Sequence, residues 1–105
     1  MHKEIIHTHS GEEIYLTISP EGYCFCPVCG VMIEDADWRP YYQNGLPSYD
    51  ICSCGFQFGY DDGSAPSKKS WAGYRERWLQ GKVKNEKPPI LSLSQKKQQL
   101  KNIGL

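Results

Sequence analysis

No run in this chain approaches the roughly 20 consecutive apolar residues that span a bilayer. The opening MHKEIIHTHS also lacks the basic-then-apolar layout of a secretory signal. Net charge is missing too, since twelve Lys and Arg balance twelve Asp and Glu. No Ser-His-Asp pattern, Walker motif or glycine-rich phosphate loop occurs, and nothing repeats except two short cysteine segments. These absences argue against a membrane protein and against an enzyme, and they place the chain in the cytoplasm. In that reducing compartment, five cysteines at short spacings read as metal ligands or redox thiols rather than as a disulfide framework, and the odd count agrees.

What is present is enough for one small domain of 105 residues, 39% hydrophobic, with three Trp and seven Tyr to fill a core. The zero net charge hides a division. Residues 1–62 carry two basic residues, Lys3 and Arg39, against ten acidic, a balance of −8, and residues 63–105 carry the opposite balance of +8. From Lys3 to Ser19 two alternating runs flank Ser10-Gly11 and predict a β-hairpin with Ile14, Leu16 and Ile18 on one face. Phe56, Phe58 and Tyr60 alternate in the manner of a further strand. Ser67 is placed to cap a helix over 67–80 that sets Trp71, Tyr74 and Trp78 on one stripe, with Gly81 to stop it. The domain is therefore expected over 1–87. Pro88-Pro89 then breaks the path into a short tail, 88–105, where Ser92 and Gln95 have capping-box spacing ahead of Leu100 and Ile103.

The cysteines carry the clearest chemistry. CPVCG supplies Cys26 and Cys29 at C-x2-C spacing, closed by Gly30, and ICSCG supplies Cys52 and Cys54 at C-x-C spacing, closed by Gly55. Each is a tight knuckle that aims two sulfurs at one point, and glycine accepts the positive φ of the exit. Two such knuckles separated by a loop of 22 residues fit a closed tetrahedral Zn²⁺ site of the ribbon type. Cys24 leaves a second set open, Cys24 with Cys26, Cys29 and Cys54; its plainer role is a small buried hydrophobe on a strand. The expected architecture is a small α+β zinc ribbon with an N-terminal β-hairpin and one packed amphipathic helix, holding one structural Zn²⁺.

The segments CPVCG at 26–30, YDICSCGFQFGYDDGS at 49–64, WAGYRERWLQG at 71–81 and the terminal LKNIGL resemble small bacterial zinc-ribbon proteins of the cysteine-rich CPCC type. The resemblance covers roughly a third of the chain. It implies a rubredoxin-like ribbon with a helix beside it and no catalysis. Relatives near toxin and antitoxin genes make an immunity or protein-binding role a further implication. This chain departs from the pattern in its second knuckle, which is one residue short; Cys54 keeps its place before Gly55-Phe56, and the departure falls on Cys52.

Other features suggest sites of their own. His7 and His9 would share one strand face, where two imidazoles can hold a second metal. Asp61 and Asp62 look like a carboxylate pair, although Gly63-Ser64 after them speaks for a turn ahead of the helix. Trp38, Arg39, Tyr41 and Tyr42 are the residue types that anchor protein interfaces. The leading expectation is a non-enzymatic module that binds another protein. The alternative is a nucleic-acid-binding ribbon acting through Lys68, Lys69, Arg75, Arg77, Lys96, Lys97 and Lys101, although the acidic ribbon would repel phosphate and the basic half can instead fold back onto it. A redox iron protein is the third reading, since four sulfurs suit iron as well as zinc.

Overall fold

A computed structural model describes residues 2–8 and 11–105. Strand β1 (His2–His7) pairs antiparallel with β2 (Glu13–Ile18) in the register His2 to Ile18 through His7 to Glu13. The expected inward face holds: Ile14, Leu16 and Ile18 are buried while Glu13 and Tyr15 on the other face stay exposed, and Thr17 on that face is covered as well. After a turn at Ser19–Gly22, Cys24 and Phe25 lie against the far side of β2, with Phe25 N–H donating to Thr17 C=O at 3.0 Å.

The two knuckles are closed alike. Cys26 N–H donates to Val31 C=O and Cys52 N–H to Phe56 C=O, each reaching the residue after a glycine of positive φ, Gly30 (+82°) or Gly55 (+94°). The missing residue of the second knuckle is absorbed by a tighter turn: Gly30 N–H bonds back four residues to Cys26, whereas Gly55 N–H bonds back three to Cys52.

The strand expected through Phe56, Phe58 and Tyr60 does not form. Past an isolated bridge between Ile51 and Gln57, the chain coils through successive turns to Ser64. Its amides are captured locally, Gln57 N–H by the Asp61 carboxylate at 2.7 Å and Gly59 N–H by Asp62 at 2.8 Å, which competes with strand pairing. Phe56 and Phe58 therefore turn inward while Tyr60 is left 76% exposed.

Helix α1 (Lys68–Leu79) has Ser67 as its N-cap, the side chain accepting from Ser70 N–H, and buries Trp71 and Trp78. Its face completes a run of ring contacts: Trp38 meets Phe58, Phe58 meets Phe56 and Trp71, and Phe56 meets Tyr74, at centroid distances of 5.0–6.0 Å. The loop between the knuckles thus belongs to the core. Trp38 and Tyr41 are buried, the Trp38 indole donates to Asp50 at 2.8 Å, and Tyr42 alone of the three aromatics is exposed. Arg39 forms a forked pair with the Glu4 carboxylate at 2.8 and 2.9 Å and is not free to anchor a partner.

A second helix forms within the expected tail, at the Ser92–Gln95 spacing. α2 (Leu93–Leu100) opens with the full Ser92–Gln95 capping box and runs into a 3-10 turn, Lys101–Ile103. Leu100 is buried, and Lys96, only 3% exposed, donates to Trp78 C=O, sits 3.5 Å from the Glu86 carboxylate and lies over the Trp78 ring. Glu86 in turn accepts from the Trp78 indole at 2.8 Å. No helix among the described residues is long and apolar enough to cross a membrane.

Candidate metal centre

The knuckle turns bring four sulfurs together. Those of Cys26, Cys29, Cys52 and Cys54 all lie within 4.8 Å of one another, the Cys29–Cys52 pair at 3.6 Å, and all four residues are buried. A tetrahedral ion with bonds of about 2.3 Å to sulfur sets its ligands about 3.8 Å apart, so the cluster has the dimensions of a four-cysteine site. None of the cysteines is in a disulfide. Burial, reinforced by the neighbouring sulfurs, pushes the Cys26 thiol well above its ordinary value, whereas hydrogen bonding from the thiols of Cys26, Cys29 and Cys54 draws Cys52 down. A group crowded in this way keeps most of its protons unless a cation supplies the opposing charge. The donor set therefore fits a thiophilic metal ion.

The chain matches no protein-family model, no curated protein and no solved structure. What can be said of the centre rests on its own geometry.

That geometry includes a layer of side chains that hold the knuckles by their carbonyls. On the first knuckle, Arg75 of α1 donates through Nε to Val28 C=O and through Nη2 to Pro27 C=O, both at 2.7 Å. Gln99 of α2 donates to Cys29 C=O and Asn102 to Gly30 C=O, each at 3.0 Å. On the second, the Tyr74 hydroxyl donates to Cys54 C=O at 2.9 Å, and Lys87 bonds Ser53 C=O through its backbone and Ile51 C=O through its ammonium. Arg75 also brings a cation near the cluster. Burial lowers its pKa, and the charges of Cys26 and Cys29 oppose that. Four thiolates around a dication would leave two negative charges, which this guanidinium would partly offset.

Cys24 takes no part. It is buried two residues upstream, its thiol donating to Phe25 C=O at 3.4 Å and pushed up to about 12 by burial. Among the described residues no other group of three or more His, Cys, Asp or Glu side chains has metal-holding geometry. His7 joins no such group, and His9 lies outside the described residues. Asp61 and Asp62 serve the turns: besides capping Gly59, Asp62 accepts from the Trp71 indole at 3.1 Å. The outer layer of Arg75, Gln99 and Asn102 went unread in the sequence. Arg75 did carry a signal, because it falls four residues after Trp71 on the helix face already assigned to the core.

Proposed function

We propose that the chain is a zinc-binding, non-enzymatic protein-interaction module, a ribbon of the rubredoxin-like kind in which Cys26, Cys29, Cys52 and Cys54 bind one structural Zn²⁺. The burial of all four sulfurs carries this reading. A catalytic zinc keeps a position open to water or substrate, and a site closed by four cysteines has none to give. When bound, the ion supplies the charge that keeps four thiolates together. The basic half of the chain supports the choice against nucleic acid. Arg75, Lys87 and Lys96 are engaged with backbone carbonyls, and Lys68 lies 3.9 Å from Glu12, so part of the positive charge is turned inward.

The test is metal analysis of the purified chain by native mass spectrometry, with Cys24→Ser and Cys52→Ser beside it and fluorescent single-stranded and duplex DNA and RNA as ligands. One zinc per chain, retained in Cys24→Ser and lost or labile in Cys52→Ser, with no salt-dependent binding of nucleic acid, is the expected result. Bound iron with a visible charge-transfer band would replace the reading with a redox one. Tight nucleic-acid binding would replace it with the basic-surface alternative.

A further inference from the structure

The hairpin has one partly covered and one open edge. On β2, Thr17 C=O accepts from Phe25 N–H, so that side is occupied at its Ile18 end, whereas no described residue bonds the outer backbone groups of Glu13 and Tyr15. On β1 the phase of the ladder follows from the turn. Thr8 N–H donates to Glu12 C=O, which makes Thr8 and Glu12 a bonded pair and, by alternation, also the pairs Ile6–Ile14, Glu4–Leu16 and His2–Ile18. Lys3, Ile5 and His7 therefore direct N–H and C=O away from β2, and no described residue bonds those backbone groups.

Beside this open edge lies a groove of about 650 Å³ between the hairpin and the loop 36–45. Half-buried Ile6 and exposed Tyr42 give its accessible apolar part over a floor of buried Leu16 and Tyr41, and Asp37 and His7 also line it. Glu4 lines it as well, but Arg39 already occupies its carboxylate, and the same Arg39 donates to Trp38 C=O. Asp37 forms no ion pair of its own among the described residues, although Arg39 is near enough to feel its charge. Glu34 and Asp35, exposed in the same stretch, add to the field of a half-chain of charge −8, which four thiolates on a dication make more negative still.

A free strand edge is by itself a common feature, usually blunted by charge or shortness. A free edge that opens on an apolar groove has a use, because an added strand can bond the edge and place alternate side chains in the groove. We propose that β1 and this groove dock an extended, basic segment of a partner protein, which adds to the hairpin as a third strand. Its inward side chains meet Ile6 and Tyr42, above the buried Leu16 and Tyr41, and Lys or Arg on it approach Asp37. The inference rests on the interaction-module reading and specifies its surface and its partner.

The probes are two capped hexapeptides, acetyl-Lys-Val-Lys-Val-Lys-Val-amide and its Glu-for-Lys counterpart, titrated into the metal-loaded full chain while amide hydrogen exchange is read residue by residue. The basic peptide should slow exchange at Lys3, Ile5 and His7 by about tenfold or more at saturation, and the acidic one should not. Ile5→Pro removes an outward donor without touching the hairpin's own ladder, and it should weaken binding about tenfold. Asp37→Lys should weaken it while leaving the melt unchanged, which keeps the test valid if the proline variant folds poorly. Equal binding of both peptides, or of neither, overturns the proposal. Protection centred instead on exposed Tyr49 and Tyr60 overturns the β1 site but spares the interaction module. A dimer of this chain that dissociates in Ile5→Pro would show that β1 pairs with a second copy and would also overturn it.

Discussion

Tyr41 is a buried polar residue whose hydroxyl meets no partner in hydrogen-bonding geometry among the described residues, although Asp62 and Gly59 lie close enough to act on it. The Asp62 carboxylate nearby is taken up by Gly59 N–H and the Trp71 indole. Tyr41→Phe therefore removes an unsatisfied group and no bond, and it should be neutral or stabilising by up to about 1 kcal/mol. Trp38→Ala in the same loop should cost about 3–5 kcal/mol, because it empties a packed ring position and removes the indole bond to Asp50. Burial also raises the Tyr41 phenol above its ordinary value. The folded chain keeps a proton that the unfolded chain releases near pH 10, so stability is intact below that pH and falls as the pH rises beyond it. Urea denaturation at pH 8 and pH 11 checks both statements: the loss between the two should be smaller in Tyr41→Phe than in the parent. An equal loss would mean that Tyr41 does not govern the alkaline limb.

At the scale of elements, glycine marks where two segments are pressed together. A Cβ on Gly30 would come within 2.4 Å of the Gln99 carbonyl oxygen in α2, backbone against backbone, at a φ of +82°. Gly81 ends α1 at a φ of +72° with nothing within 4 Å. Gly81→Ala should cost about 1 kcal/mol of conformational strain, whereas Gly30→Ala should cost about 2–5 kcal/mol, strain and overpacking together. Amide exchange locates the difference: α2 should lose protection in Gly30→Ala and keep it in Gly81→Ala. This contact also shows where the sequence stopped being readable. The hairpin announced itself through Ile14, Leu16 and Ile18, α1 through Ser67 and its Trp stripe, and the start of α2 through Ser92 and Gln95, all of them local patterns. That α2 would dock on the first knuckle was not legible, because Gln99 reaches Cys29 across 70 residues by a side-chain amide that any exposed glutamine also carries. The alternation of Phe56, Phe58 and Tyr60 misled because Asp61 and Asp62 use their carboxylates on amides a strand would have needed. The aromatic loop misled because Trp and Tyr serve cores and interfaces equally well. The four clustered cysteines were legible from their spacing and closing glycines, even with one residue missing. The metal was not, since four sulfurs accept zinc and iron alike.

Across the whole molecule, both helices are attached to the knuckles. Phe56, two residues after Cys54, enters the core, Arg75 and Tyr74 join α1 to both knuckles, and Gln99 and Asn102 bring α2 to the first. The hairpin is a two-stranded sheet, which is marginal alone in water. Structural zinc contributes an apparent free energy of about 10–16 kcal/mol in small domains, and the total stability of a domain is about 5–15 kcal/mol. If the cluster holds such an ion, nothing of comparable size remains when it leaves. Chelation under reducing conditions should therefore abolish the cooperative melt and, with it, the near-ultraviolet circular dichroism of Trp38, Trp71 and Trp78. Both should return on adding one equivalent of zinc. Survival of the near-ultraviolet signal without metal would show that the run from Trp38 through Phe58 to Trp71 packs by itself, and that the four sulfurs fasten a core already formed.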